Sequence, residues 1–540
     1  MTTAKQETRG ALPASVIAEI LAVGVLLALS ACAVGPKFTK PETKPSETWS
    51  TKSDPQISTE SAVNPAWWQV FSDPALNRLV ELAYQQNLPL QVAGLRIVEA
   101  RAQLGIATGS QYPQLQVVFG QAEAVGLSNN TANSPLTLAG SLPPGTSLSF
   151  NRNYFNYQIG FDAVWELDFW GKYRRGVEAE TASLLATVGD YYYSLVTLTA
   201  EVARTYVVIR TFEVLVELAQ ENIRNQEQGL QIAQSRFRHG ATSELDVTQA
   251  TTLLESTRST VPQLQIGLEQ ARNALSTLLG QPTGTVEALL AGPKEIPKAP
   301  AKVVVGVPIE MLRRRPDIRS AELSAAAQCA RIGVAKAELY PSLTLFGSFG
   351  VQASDKGASA NPFSADALYY TVGPRISWPF FNYGRIENGV RVQDARFEQL
   401  LVNYRNAVLK AAQEVEDAMI GFLNDERAVA FQQGAVKAAQ RSVEIALVQY
   451  REGAVDYQRV LDAQRSLLQE QNSLAQTSSG VATNLVALYK ALGGGWELHQ
   501  GQQFIPEQMQ NEMKDRTNWG DMLSQPRDPE TPKPASAAKD

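Results

Sequence analysis

The sequence is poor in the residues that carry most enzyme chemistry. It has two histidines, His239 and His499, and two cysteines, Cys32 and Cys329, among 540 residues. Neither pair has the spacing of metal ligands, and no glycine-rich phosphate loop or nucleophile elbow is present. The formal net charge is −6, which disfavours a nucleic-acid partner. We therefore expect no catalytic site, metal or cofactor, and an enzyme is the weakest interpretation.

The apolar run Ile20–Leu29 is too short to span a bilayer comfortably as a helix. It leads into Leu29-Ser-Ala-Cys32, which resembles the lipobox of bacterial lipoproteins. This resemblance implies a signal peptide over residues 1–31, cleavage before Cys32 and lipidation of its sulfur. Several acyl chains, at about 0.8 kcal/mol per buried CH₂, would anchor the chain in lipid. An ordinary signal peptide with a chance cysteine is the alternative.

The rest of the chain contains the same pattern twice. Three pairs of landmarks in the two copies are each separated by 213 residues: Trp165 and Trp378, Gly240 and Gly453, Gly280 and Gly493. Each copy has two strand-like runs followed by two long heptad helices. A repeat that joins membrane-strand patterns to coiled-coil patterns favours one elongated body, a tube that crosses a membrane and continues beyond it.

The pattern predicts six parts. They are the signal peptide 1–31, a lipidated extended tether 32–66, a first repeat 67–280, a linker 281–308, a second repeat 309–495, and a C-terminal segment with a disordered tail 496–540. Each repeat begins with a shorter helix. The predicted strands are 112–126, 154–169, 340–352 and 367–380. The predicted long helices are 172–238, 245–280, 385–451 and 456–493. Proline disfavours a helix interior, so we expect a disturbed helix at Pro89 and a kink or break at Pro262.

The strand 154–169 alternates between apolar and polar residues along its length. Period-two patterning with aromatic residues at the ends is typical of an outer-membrane strand, whereas a sandwich strand with one wet face is the alternative. On the polar face, Asp162, Glu166 and Asp168 would line a lumen, and Arg375 would partly oppose their charge. A ring of carboxylates favours cations. Solvated strand residues without a selective role are an equal alternative.

One chain offers too few strands to close a cylinder. Open sheet edges are not tolerated in lipid, because each unpaired backbone group costs several kcal/mol there. Closed membrane barrels begin at about eight strands, so at least two chains must share the four strands that each contributes. Three chains would give twelve strands, but the sequence physics alone does not choose three. Helix 172–238 would be about 100 Å long at 1.5 Å per residue, so most of it must project beyond the bilayer.

Several separate motifs resemble the outer membrane factor family of Gram-negative tripartite efflux systems, and its NodT-type lipoprotein branch in particular. The motifs are Phe71-Ser-Asp-Pro-Ala-Leu76, Met311-Leu-Arg-Arg-Arg-Pro-Asp-Ile318, Tyr340-Pro-Ser-Leu343 and Val460-Leu-Asp-Ala-Gln-Arg-Ser-Leu467. The resemblance covers residues 60 to 495 in the same order.

The resemblance implies a membrane α+β fold: a homotrimer that shares a twelve-stranded β-barrel, continued by a long periplasmic α-helical coiled-coil barrel. It makes the linker 281–308 and the C-terminal segment an equatorial domain. It also implies localisation in the outer membrane, anchored by lipid, with a large periplasmic part. The expected partners are a periplasmic adaptor and an inner-membrane pump of the resistance-nodulation-division type.

The resemblance also places a periplasmic gate at the helix ends. Carried over to this chain, the aspartate of the VLDAQRS motif is Asp462, and Asp456 lies about one and a half turns earlier. Carboxylates near an axis repel and need cationic partners, for which Arg459 and Arg465 are suitably spaced. Tyr450 and Tyr457 would add bulk to the plug. A solvated charged helix face is the alternative for the charged residues.

The turns between the long helices are the expected adaptor contacts, through Gly240, Ala241, Gly453 and Ala454. A turn that uses glycine only for its backbone freedom is the alternative. The expected function is a passive exit duct for small molecules, including drugs and toxic solutes. Two other functions stay open: an outer-membrane channel for type I protein secretion, and a structural lipoprotein that spans the periplasm.

Overall fold

The computed structural model describes residues 33–42, 49–50, 54–58, 64–128, 130, 151–300, 302–306, 313–356 and 361–523. The predicted signal peptide and Cys32 lie outside these residues. The chain divides into two units. The first combines Ala102–Ala182, Ala325–Gln399 and the described residues up to Thr39. The second combines the described residues of Lys40–Arg101, Ser183–Ser324 and Leu400–Asp540.

The first unit contains a four-stranded antiparallel sheet. Its strands are β2 (Leu115–Gly126), β3 (Asn153–Leu167), β5 (Ser342–Ser354) and β6 (Leu368–Ser377). The two remaining strands of the described chain, β1 (Ile57–Ser58) and β4 (Val303–Val304), are short and belong to the second unit. The order is β2-β3-β5-β6. Within the described chain, β2 and β6 therefore each have one neighbour and one open edge.

The strand ends correct the sequence prediction by a few residues. β3 ends at Leu167 and not at 169, because Asp168 accepts hydrogen bonds from the amides of Tyr173 and Arg174 and caps the next helix. β6 ends at Ser377 and not at 380. Pro379 follows shortly and has no N–H to continue a ladder. β2 begins at Leu115, after Pro113, and β5 runs Ser342–Ser354 in place of 340–352.

The helices fall into pairs of equal length. The longest are α3 (Lys172–Arg238) and α6 (Arg385–Arg451), with 67 residues each. They are followed by α4 (Glu244–Leu278) and α7 (Tyr457–Ala491), with 35 each. The helices that precede the sheet hairpins, α2 (Leu88–Gly109) and α5 (Pro316–Ala337), have 22 each. Within the described ranges, no helix is both long enough and apolar enough to cross a bilayer.

The heptad seam of the sequence is the buried side of α3 and α6. On α3, Leu195, Val202 and Ile209 are buried, and on α6, Val415 and Phe422 are buried. Removing these side chains from water supplies roughly 1.5–3 kcal/mol each. The 3-4 spacing thus correctly predicted which faces of the two helices pack inside the second unit.

The two expected proline interruptions had different outcomes. A helix α1 (Pro74–Gln86) ends before Asn87, whose Oδ1 accepts from the amide of Leu90 and caps α2, so that Pro89 falls in the first turn of a new helix. Of the kink or break expected at Pro262, the break does not occur, since α4 continues through it from Glu244 to Leu278, and the kink stays a prediction. Proline removes one hydrogen bond, and packing of the helix on both sides compensates that loss.

The described parts of the predicted tether lie against other parts of the chain. In the first unit, the amide of Val34 donates to the carbonyl of Trp170 at 3.0 Å. In the second unit, the indole of Trp49 donates to the carbonyl of Gly306 at 3.1 Å. β1 pairs in parallel with β4. These described residues are thus held against other parts of the chain, and the role of the segment as a tether stays a prediction.

The C-terminal segment is partly helical. Helix α8 (Glu507–Arg516) contributes Met513 to a cluster with Val98, Ile505 and Leu523. Residues 524–540, most of the predicted disordered tail, lie outside the described residues.

A buried arginine links three segments of the second unit. Arg210 of α3 is 1% exposed and donates to Glu213 at 2.6 Å, to the hydroxyl of Tyr206 at 3.0 Å and to the carbonyl of Leu290 at 2.8 Å. Tyr206 in turn donates to Asp73, the N-cap of α1. Arg210 thereby joins α3 to the cap of α1 and to the linker 281–308.

We expect Arg210→Ala to destabilise the protein by about 3–5 kcal/mol, because it leaves buried acceptors without their cation. The matched control is Arg204→Ala on the same helix, whose pair with Glu201 is largely solvent-exposed and is worth at most about 1 kcal/mol. Thermal loss of the helical circular-dichroism signal measures both. Equal shifts for the two variants would contradict the role given to Arg210.

Candidate functional site

The turns between the long helices have the same hydrogen bonds in both halves. After α3, the amide of Ala241 donates to the carbonyl of Arg236 at 2.8 Å, and that of Gly240 to Phe237 at 3.0 Å. After α6, Ala454 donates to Gln449 at 2.8 Å and Gly453 to Tyr450 at 3.0 Å. Both are Schellman turns, which need a left-handed residue. Gly240 has φ +69° and Gly453 has φ +82°.

All four expected adaptor-contact residues, Gly240, Ala241, Gly453 and Ala454, are exposed in the second unit. The turn geometry by itself explains the glycines, and the small exposed side chains leave room for close packing of a partner. The adaptor contact therefore stays a prediction, and the structural role of the glycines is established beside it.

Below the turns, one hydrogen-bond network joins the two helical hairpins. The hydroxyl of Tyr450 on α6 donates to Asp246 Oδ2 on α4 at 2.9 Å. Thr242 donates to the same oxygen. Arg236 of α3 donates to the carbonyls of Tyr450 and Ala241, one in each turn. Its guanidinium carbon lies 4.6 Å from the centroid of the Tyr450 ring.

Burial keeps the Tyr450 donor protonated. Desolvation, together with the Asp246 carboxylate, raises the pKa of Tyr450 to about 12. The phenol is thus neutral at physiological pH and donates to Asp246 throughout that range. A hydrogen bond to a carboxylate is worth about 1.5–3 kcal/mol, so this bond is a substantial link between α6 and α4.

Tyr450 and Tyr457 are buried between the helices of one protomer. Each is only 1% exposed, and their rings meet edge to face with centroids 5.1 Å apart. They belong to a core cluster with Ala233, Ala250 and Val460. Large rings are better accommodated between four helix ends of one protomer than in water, and the role of the two tyrosines in a plug stays a prediction.

The charged residues of the predicted gate lie on the outer side of α7. Asp462, Arg459 and Arg465 are exposed. The Asp462 carboxylate accepts from Gln458 Nε2 at 2.8 Å, so its partner within the described chain is a neutral amide where the sequence favoured an arginine. Asp456 is the exposed N-cap of α7, without a capping bond from its side chain to the described backbone. An exposed Asp462 is free to meet a second copy, and the gate assignment stays a prediction.

Asp246 and Arg236 are the residues that sequence reasoning missed. Ser243-x-x-Asp246 has the form of a capping box, which assigns the aspartate to the helix start. Its carboxylate instead serves Thr242 and Tyr450. Only the packing of α4 beside α6 brings Asp246 and Tyr450, 204 positions apart in sequence, together.

The sheet separates its side chains into two faces. The apolar face of β3 and β6 is highly exposed, and its members are Phe155, Tyr157, Ile159, Phe161, Tyr370, Val372 and Ile376. The polar face of β3, which includes Asn156, Gln158 and Asp162, is half-buried. A sheet whose apolar side is the wetter one in a single copy requires a non-aqueous surrounding for that side.

The four predicted lumen residues differ in their surroundings. Asp162 is on the half-buried polar face, in register with Val117 and Ser348. Glu166 accepts from Lys172 at 3.3 Å and from Tyr173 at 3.1 Å. Asp168 follows the strand and is engaged by the start of α3 and by Arg174. Of the three acids, Glu166 and Asp168 are thus engaged by side chains or amides at the start of α3, and Asp162 lies farther along the strand from that helix.

Arg375 is exposed on β6, and its guanidinium carbon lies 4.9 Å from the centroid of the Phe346 ring. This contact is a cation–π arrangement. A lumen-lining role for all four residues stays a prediction.

Comparison with known proteins agrees with this architecture. The chain is 33% identical over 432 residues to the pyoverdine export outer membrane protein OpmQ of Pseudomonas putida, covering 80% of this chain and 88% of the relative. It is 30% identical over 482 residues to the cation efflux system protein CusC of Escherichia coli O6:H1, covering 89% and 99%. Among solved structures, the outer-membrane channel OprN superposes with a TM-score of 0.78 at 32% identity, covering 86% of this chain and all of that one.

The sequence model of one family, the outer membrane efflux proteins, matches residues 79–281 and 307–494. These ranges include both pairs of long helices and all four strands of the large sheet. The resemblance found in the sequence motifs is thereby confirmed, and so is the localisation in the outer membrane. The chain belongs to the outer membrane efflux protein family.

Proposed function

We propose that this protein is the outer-membrane exit duct of a tripartite efflux pump, which conducts small molecules passively to the exterior. The observation that carries the proposal is a sheet with one exposed apolar face and two open edges, in the same chain as two 67-residue helices. The sheet suits lipid, and helices of about 100 Å reach far beyond a bilayer of about 30 Å.

Open edges support assembly from several copies. β2 and β6 are antiparallel to their neighbours, with two strands between them. An edge β6 can therefore pair with the β2 of the next copy without changing the alternation of strand direction. Three copies of four strands give a twelve-stranded barrel, whose closure satisfies the backbone groups that lipid cannot. The equal helix lengths fit an internal duplication that supplies a matching helical barrel.

A stripe of exposed apolar residues on α6 supports the same assembly. Its members are Val402, Leu409, Ile420, Phe431 and Ile445. They are separated by 7, 11, 11 and 14 residues, close to whole numbers of helical turns. They share one face of the helix, and a single copy leaves that face in water. We infer that a second copy covers it, since exposed stripes of this kind mark interfaces.

The helix turns are the proposed periplasmic entrance. The Tyr450–Asp246 bond and the bond from Arg236 to the carbonyl of Tyr450 hold the two hairpins of one protomer together. Exposed Asp462 would lie toward the neighbouring copies. A periplasmic adaptor would meet the exposed turns at Gly240 and Gly453, and an inner-membrane pump of the resistance-nodulation-division type would supply the energy. The names of the relatives concern pyoverdine and cations, and we extend only the small-molecule class to this chain.

The alternatives fit the observations less well. A structural lipoprotein that spans the periplasm would need the long helices but not a sheet with an exposed apolar face. A channel for type I protein secretion would share the whole architecture, and the relatives named for pyoverdine export and cation efflux favour small cargo.

The duct proposal predicts ion conductance across planar bilayers. We expect Tyr450→Phe, which removes the donor to Asp246, to raise the open fraction about tenfold or more, since the lost bond is worth about 1.5–3 kcal/mol. Asp462→Ala should also raise the current. Tyr489→Phe, another buried tyrosine on α7, is the control and should not.

The duct and the gate can be contradicted by different results. A well-folded sample without current, even as Asp462→Ala, would count against the duct. Current that is unchanged by Tyr450→Phe and Asp462→Ala would leave the duct intact and remove the gate.

The α6 stripe predicts a specific effect on assembly. Phe431 is 80% exposed in one copy, and Phe431→Asp should place a charge in the interface and shift the detergent-solubilised protein from trimer to monomer. Gln440→Asp adds the same charge nine residues later, half a turn out of phase and so on the opposite face, and should stay trimeric. Light scattering coupled to size exclusion measures both masses, and a trimeric Phe431→Asp would exclude the stripe from the interface.

The lipid anchor gives a third test. Cys32→Ser should abolish incorporation of labelled fatty acid, because the only proposed acceptor is the Cys32 sulfur. Cys329→Ser, at the other cysteine, should leave labelling unchanged. Labelling that persists in Cys32→Ser would refute the anchor.

A further inference from the structure

One row of the sheet combines two aromatic residues with two glycines. Phe119 of β2 is opposite Gly160 of β3, Gly160 is opposite Gly350 of β5, and Gly350 is opposite Tyr369 of β6. Directly opposed residues share a face. All four therefore lie on the polar face, the one that also carries Asp162.

The two rings lie across the glycines. A Cβ placed on Gly160 would be 2.7 Å from Tyr369 Oη and 3.0 Å from Phe119 Cζ, and a Cβ on Gly350 would be 2.9 Å from Tyr369 Cε1. Tyr369 thus spans two neighbouring strands, and its hydroxyl accepts from Gln158 Nε2 at 2.6 Å. The outer ends of both rings therefore lie over Gly160.

The same polar face contains a cation–π contact between two side chains of the protein. The guanidinium carbon of Arg375 lies 4.9 Å from the centroid of Phe346. Phe346 in turn lies over another glycine, with its Cε1 3.7 Å from a Cβ placed on Gly373. Aromatic faces on this side of the sheet are therefore accessible to positive charge, as the ring quadrupole favours.

A carboxylate lies one same-face step from the aromatic row. Asp162 is two residues after Gly160 on β3, about 7 Å along the strand at 3.4 Å per residue. It is half-buried on the same face. A molecule with a planar ring and a positive charge a few ångströms from that ring could contact the aromatic row and the Asp162 carboxylate at once.

We propose that Phe119, Tyr369 and Asp162 form a transit site for aromatic organic cations in the wall of the duct. The proposal rests on the proposed function, because closure of the sheet is what turns the polar face inward. Three copies place six aromatic rings and three carboxylates at adjacent levels of the lumen. The glycines keep the rings against the wall, so the site binds passing molecules without narrowing the lumen.

The test is block of the potassium current through the full-length protein in planar bilayers. The probe is benzyltrimethylammonium, and tetramethylammonium carries the same charge without a ring. We expect half-block by the aromatic cation at a lower concentration than by tetramethylammonium. Phe119→Leu combined with Tyr369→Leu should raise the half-blocking concentration of the aromatic cation by about three- to thirtyfold, the range of cation–π contacts.

Two control variants test whether the aromatic ring on the polar face causes the block. Tyr369→Phe keeps the ring and should keep the block. Tyr370→Leu removes an aromatic ring from the opposite, apolar face of the same strand and should leave both the potassium current and the block unchanged. If the leucine pair fails to assemble, Asp162→Asn tests the carboxylate and should weaken the block by both cations.

Equal block by the two cations would overturn the proposal. So would an unchanged half-blocking concentration in the leucine pair, or in Asp162→Asn where that pair does not assemble. A potassium current without selective block removes this site alone. Absence of any current in a folded sample removes the duct, and this site with it.

Discussion

The pairing of backbone groups in the four-stranded sheet is the constraint on which the rest depends. Each of β2 and β6 has an edge without a partner in the described chain, and the apolar face between them is exposed. In water such a sheet would aggregate, and in lipid its edges would be costly. Assembly with further copies removes both problems, and the proposed trimer, lumen and duct follow from that requirement.

The arrangement of the long helices depends on a different constraint, the pairing of buried polar side chains. Its buried side is a heptad seam of ordinary apolar residues, but its specific geometry depends on polar groups held inside. Arg210 fixes α3 to the linker and to the cap of α1. At the other end, Arg236, Tyr450 and Asp246 hold the two turns together. Buried polar groups are costly when unpaired, so each network specifies one arrangement of the helices more strictly than the apolar seam does.

The predicted gate residues differ in how much of their surroundings the sequence indicates. The VLDAQRS motif assigns Asp462 to the gate, and this residue is exposed, as an axial carboxylate must be before assembly. Tyr450 and Tyr457 are predicted to add bulk to the same plug, and the structure buries both inside one protomer. Exposure of a helix position depends on which neighbours cover it, and in this protein the neighbours come from the other hairpin, about 200 residues away in sequence.

The sequence by itself determined the family, the two sets of long helices and the seams that bury them, because period and glycine placement are local properties read along one element. The bounds of α3 and α6 follow from such signals. Only the tertiary structure decided the Tyr450–Asp246 bond, the continuous helix through Pro262 and the row of Phe119, Gly160, Gly350 and Tyr369. Each of these depends on the register between elements far apart in the chain, which no local period encodes.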